Sequence, residues 1–169
     1  LTMLVALAGA SALYAQNPLT TEMKQGYTQV KGDVMKAAAD MPEGDYDFVP
    51  GPGSRTYGAA VVHIAVVQAA VCGMASGKDA PKIDREKTSK ADATAALQAA
   101  FDFCDPIYAA ATDADAAKMV KMFGRDRSMF GTLDFGVIHD NEMYGTLAVY
   151  LRAKDKVPPT SQARPAGKK

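Results

Sequence analysis

TYGAAVVHIAVVQAAVCGMAS, residues 56–76, carries almost no polar side chain. A run this long without a breaker reads as a helix, and a helix that is apolar nearly all round has to be covered on most of its circumference. Just upstream, PGPG at 50–53 fits neither a helix nor a central strand and forces a loop. Ser54 or Thr56 then supplies the N-cap, and Gly77 ends the helix. The rest of the chain must provide the partners that bury it.

Three further segments have the required amphipathic pattern. Leu19, Met23, Tyr27, Val30, Val34, Ala38 and Met41 step by fours and threes, between Pro18 and Thr20 at the start and Pro42 at the end. The stretch from Gly44 to Arg55 is a loop, and KDAPKIDREKTS at 78–89 is a charged, solvated connection. Ser89 with Asp92 resembles a capping box, after which Leu97, Phe101, Cys104, Tyr108 and Ala111 share a face. Pro106 removes one ladder hydrogen bond there, which predicts a kink or an early stop near Asp105. Thr112, Asp113 and Asp115 predict a short helix to about Val120, followed by a turn around residues 124–127. Phe135, His139, Met143, Leu147 and Tyr150 form the last stripe, which runs to Lys154 before Val157-Pro158-Pro159 stops it. No alternating strand pattern of convincing length is present. The expectation is an all-α four-helix bundle with a short extra helix or turn before its last helix.

The composition agrees with one core-forming domain. The chain has 169 residues, with 19 Lys and Arg against 19 Asp and Glu, and a folded chain of this size buries roughly two-thirds of its surface. Zero net charge argues against nucleic acid and anionic membranes as partners, since both favour a basic surface. The lack of Trp and the 8 % aromatic content argue against a base-stacking platform. Charges are missing from Leu1 through Thr21. LTMLVALAGASAL at 1–13 is too short for a stable membrane span, and with Tyr14 and Ala15 it fits a secretory apolar region cleaved after Ala15. Its basic flank is missing, and an N-terminal core helix is the competing reading. The expected division is a signal peptide at 1–15, the bundle at 16–159 and a disordered tail, TSQARPAGKK, at 160–169. That predicts an exported protein, periplasmic or extracellular.

The two histidines, His63 and His139, fall in apolar surroundings on the second and last helices. Singly, each reads as a core histidine held by a hydrogen bond. As a pair in one bundle they raise a metal site, because bundle interiors assemble ligands from different helices. Cys72 and Cys104 are compatible with a disulfide or with two buried thiols. No Cys-x-x-Cys, phosphate-binding glycine loop or nucleophile elbow is present, so nucleophilic catalysis has no candidate triad.

FVPGPGSRTYGAAVVHIA, AALQAAFDFCDPIYAAATDAD and FGVIHDNEMYGTLAVYLRAKDKVPP resemble the corresponding parts of DinB-like proteins. The resemblance covers about Leu19 to Pro159 and is not to the translesion polymerases that share the name. It implies a four-helix bundle related to metal-dependent thiol S-transferases. In that family three histidines commonly hold a divalent metal, one from the second helix and two from an H-x-x-x-H pair on the last. His63 and His139 match two of them, and Met143 stands at the third. A thioether is a poor ligand for zinc, nickel or ferrous iron and suits copper(I) better. Three outcomes follow for the site. Glu142, three residues after His139, completes a two-histidine, one-carboxylate set; or the site is vestigial and Met143 packs in the bundle; or His63, His139 and Met143 hold copper(I). The resemblance therefore implies a metal-dependent transferase or hydrolase with a weak or absent zinc, nickel or iron site at His63, His139 and Glu142. It implies a small-molecule or thiol substrate and allows a homodimer. The alternative is a non-enzymatic periplasmic binding or structural bundle.

Overall fold

The computed structural model describes residues 17–162, so the expected leader at 1–15 lies outside the described residues. Helix α1 spans Pro18–Asp40, α2 Tyr57–Ser76, α3 Lys90–Ala110 and α5 Met129–Ala153, with a four-residue helix α4 at Asp113–Ala116. Helix α1 packs on α5 and α3, and α2 packs on α3 and α5. The four long helices therefore form a square in which α1 lies diagonally across from α2.

Local chemistry accounts for the helix ends. Thr56, Ser89, Thr112 and Ser128 each accept a backbone N–H with the side chain at an N-cap. Asp113 accepts hydrogen bonds from the backbone N–H groups of Leu19 and Thr20, so the start of α4 caps the start of α1. Helix α2 is long and apolar enough to cross a membrane by length and composition. Here it is the core helix, with Tyr57, Val61, Ile64, Ala65, Gln68 and Cys72 all buried. Cys72 and Cys104 are joined in a disulfide that ties α2 to α3.

Three expectations need correction. Of the kink or early stop expected near Asp105, the early stop does not occur, and helix α3 runs through Pro106 to Ala110. Burial holds it there: Tyr108 stacks on Tyr27 with ring centroids 3.7 Å apart, and its hydroxyl donates to the Leu133 carbonyl at 2.7 Å. The short helix after Thr112 ends at Ala116 rather than near Val120. The chain instead forms an antiparallel hairpin, β1 at Met119–Met122 and β2 at Arg125–Ser128, in which Lys121 faces Asp126. Lastly, the tail does not loosen at Thr160. The Thr160 N–H donates to the Tyr144 hydroxyl, and Gln162 donates to Asp40, so the bundle extends to Gln162. Residues 163–169 of the expected tail lie outside the described residues.

Candidate metal centre

His63 and His139 come from packed neighbours, α2 and α5. Their Nε2 atoms lie 3.3 Å apart, and the ring centroids are separated by 5.2 Å. Both rings are partly buried rather than sealed in the core. On the far side of His139, Nδ1 lies 3.1 Å from Oδ1 of Asp140. An ionised carboxylate can only accept, so Nδ1 carries the proton and the Nε2 lone pair of His139 is turned toward His63.

Asp140 is fully buried, and its other oxygen, Oδ2, has no hydrogen-bond partner among the described residues. Burial pushes its carboxyl pKa up to about 6, against the opposing pull of His139. His63 moves the other way. Burial lowers its pKa, and the positive potential of Arg55, of His139 and of Arg85 lowers it further. The site is therefore arranged to keep the His63 imidazole neutral, the form that ligates metal.

Two nitrogens each about 2.0–2.1 Å from one tetrahedral ion stand roughly 3.3 Å apart, so the His63–His139 separation fits a shared ion. It also fits an N–H···N hydrogen bond between the rings. The buried carboxylate behind His139 is a usual support for a ligating imidazole. A third ligand is not brought in. Glu142 is exposed and lines a groove of about 420 Å³ with Arg55, Met143 and Tyr150, while Met143 is buried. Among the described residues no group of three His, Cys, Asp or Glu side chains can hold an ion. The residues thus fit two coordination positions, and the histidine-histidine-glutamate set is not assembled.

A profile of the DinB superfamily matches residues 27–147. This chain belongs to the DinB superfamily. Two solved DinB-like proteins share the fold. One, from Bacillus cereus ATCC 10987, has a TM-score of 0.72 at 18 % identity, over 82 % of this chain and 95 % of its own. The other, from Bacillus subtilis, has a TM-score of 0.68 at 16 % identity, over 85 % of this chain and 99 % of its own. No curated protein matches this chain.

Within this DinB fold, Asp140 is the residue that the sequence reading passed over. Its signal was present: Leu133, Gly136, Asp140, Tyr144 and Leu147 are spaced by threes and fours, which puts a carboxylate on a core stripe. Phe135, already on the His139 stripe by its spacing, makes contacts on both sides. It stacks on His139 at 6.1 Å and meets the tip of the hairpin through Phe123 at 6.2 Å.

Proposed function

We propose that this DinB-superfamily chain is an exported protein with a two-histidine metal centre, of the metal-dependent transferase or hydrolase type. The observation that carries the reading is the 3.3 Å approach of two imidazole Nε2 atoms, one of them oriented by a buried carboxylate. His63 and His139 would hold zinc, nickel or iron. A bound ion would supply Lewis acidity, lowering the pKa of a thiol or water. The chain's own contributions are the following. Asp140 fixes the His139 proton on Nδ1. Arg55 and Arg85 place positive potential beside His63, which disfavours its protonation. The Cys72–Cys104 disulfide supports an oxidising compartment, periplasmic or extracellular.

The competing reading is a non-enzymatic bundle with a vestigial site, favoured by the buried Met143 and the exposed Glu142. Metal analysis of chain purified without a histidine tag, after incubation with zinc, nickel or ferrous iron, separates the two. Bound metal that is lost in His63→Ala and in His139→Ala supports the metal centre. Metal at background in the parent chain overturns it in favour of the vestigial bundle.

A further inference from the structure

The β-hairpin is an addition to the four-helix frame, and its inner face carries chemistry that neither the bundle nor the histidine pair uses. Residues directly opposite in an antiparallel pair share a face, and faces alternate along each strand. Met122 faces Arg125 and Val120 faces Arg127, so both arginines share the side on which Met122 is buried against the bundle. Lys121 and Asp126 alternate to the opposite face, joined at 2.7 Å, so that the carboxylate of Asp126, which also borders the pocket between the hairpin and α5, is paired with Lys121 rather than with either arginine. Among the described residues neither Arg125 nor Arg127 forms an ion pair.

Both arginines are exposed and border this open pocket of about 430 Å³, which Met122, Phe123, Asp126 and Phe135 complete. The position of Arg127 is prepared. Its guanidinium lies 5.6 Å from the centre of the Phe135 ring. Its Nε would be 3.1 Å from a β-carbon at residue 131, so Gly131 leaves the space that this side chain occupies. Phe123 sits at the hairpin tip with φ at 47°, a left-handed conformation that a bulky side chain adopts at a cost of roughly 1 kcal/mol or more. Asn or Gly would satisfy that turn with less strain. Phenylalanine there faces Phe135 edge-on, and its N–H meets Met74 Sδ at 3.4 Å, which ties the tip to α2.

We propose that the pocket between the hairpin and α5 binds a small aromatic carboxylate, the anion held by Arg125 and Arg127 and the ring packed in the corner that Phe123 and Phe135 make edge-on. The volume is in the range of small-molecule sites. Two guanidiniums without ion-pair partners on one face suit a carboxylate, and an edge-on aromatic corner suits a planar apolar body. The pocket abuts the histidine pair through Phe135 but does not depend on it. Ligand binding rests on the hairpin and holds whether or not the histidines carry metal.

The test uses the full chain and 3-phenylpropionate, with 3-phenylpropionamide as the uncharged match, followed by NMR of the backbone amides and arginine Nε–H groups. The carboxylate is expected to give saturable shifts at residues 119–128, Phe135 and both arginine side chains, and the amide none. Arg125→Gln and Arg127→Gln, checked for native spectral dispersion, should each weaken binding about three- to tenfold. Phe135→Leu should weaken it as well, while Lys121→Gln on the outer face and His63→Ala should leave it unchanged. Retained binding in His63→Ala separates this proposal from the fate of the metal centre. The proposal is overturned by no saturable shift up to about 10 mM, a range in which even weak binders respond. An equal response to the amide overturns it, as does a Lys121→Gln loss matching that of Arg127→Gln. Phosphatidylglycerol vesicles that shift the same hairpin resonances while the carboxylate does not would also overturn it, making the hairpin a lipid-facing element.

Discussion

His63 and His139, 76 positions apart in the chain, meet Nε2 to Nε2 at 3.3 Å. Met143 lies one helical turn beyond His139, on the same side of α5. If it faces this pair, Met143→His adds a third imidazole to two that already converge. Zinc affinity should rise by about tenfold or more, as expected when a coordination position is completed. Competition against a chromogenic zinc chelator measures it, and the Tm of the variant should gain more from zinc than that of the parent. A variant no tighter than its parent would show that residue 143 is aimed away from the pair.

Asp140 opposes two demands. Its buried carboxylate orients His139 with one oxygen and leaves the other without a partner. Asp140→Asn keeps an acceptor for His139 Nδ1 and removes the buried charge. Stability at neutral pH should rise by about 1 kcal/mol, because an uncompensated buried charge costs more than a neutral amide. Metal affinity should fall by roughly tenfold, the usual effect of losing a carboxylate behind a ligating histidine. Urea unfolding and a metal titration on the same variant read both. A fall in both quantities would make Asp140 a structural residue instead.

The bundle was legible because its signals are local and repeated. Apolar spacing in three segments, a continuously apolar fourth, and Thr56, Ser89 and Gly77 at the ends leave few other arrangements. The hairpin was not legible, since two four-residue strands give no periodicity long enough to read and their turn uses Phe123 where Asn or Gly is usual. The Pro106 signal was read correctly as a lost hydrogen bond, but tertiary packing around Tyr108 outweighed it. At the site, spacing brought out the two histidines. It also put Met143 on the buried stripe with His139, and what it left open was whether the Glu142 carboxylate, one position to the side, turns back toward the pair, which packing decides.

The Cys72–Cys104 disulfide closes a loop with a sequence separation of 32 between two helices that pack on each other. Chain-entropy bookkeeping for a loop of that length gives about 3–4 kcal/mol. Both cysteines are fully buried, so the clean comparison is the Cys72→Ala, Cys104→Ala double variant rather than reductant. It should melt about 10 °C below the parent by circular dichroism. An unchanged Tm would mean that the two helices are already held together by their apolar contacts.

Gly58 in the first turn of α2 and Gly145 in α5 should respond oppositely to alanine. A β-carbon at 58 would collide with the Thr88 backbone carbonyl and come within 3.0 Å of Tyr46 Cδ1, whereas one at 145 meets nothing within 4 Å. Backbone cannot yield as a flexible side chain does, so Gly58→Ala should cost about 3 kcal/mol or more. Gly145→Ala should stabilise by about 0.5–1 kcal/mol, through the entropy lost by glycine in a helix. Paired urea titrations give both signs. A tolerated Gly58→Ala would mean that the 78–89 loop can lift away from α2.

Four tyrosines set the alkaline limit. Burial raises the pKa of Tyr27, Tyr46, Tyr57 and Tyr108 well above the ordinary value of 10.0, and the nearby Asp105 carboxylate adds to the effect on Tyr27. An unfolded chain releases these phenolic protons from about pH 10 upward, while the folded chain retains them. The unfolded state therefore binds fewer protons in that range, and stability falls as pH rises through it. The tyrosinate absorbance of these residues should grow together with the loss of helical circular dichroism, in one cooperative transition. Tyr46→Phe or Tyr57→Phe should make the decline shallower, at the cost of the hydrogen bond each hydroxyl donates to a carbonyl near the end of α1. Ionisation of these rings with the helices intact would show that solvent reaches them in the folded state.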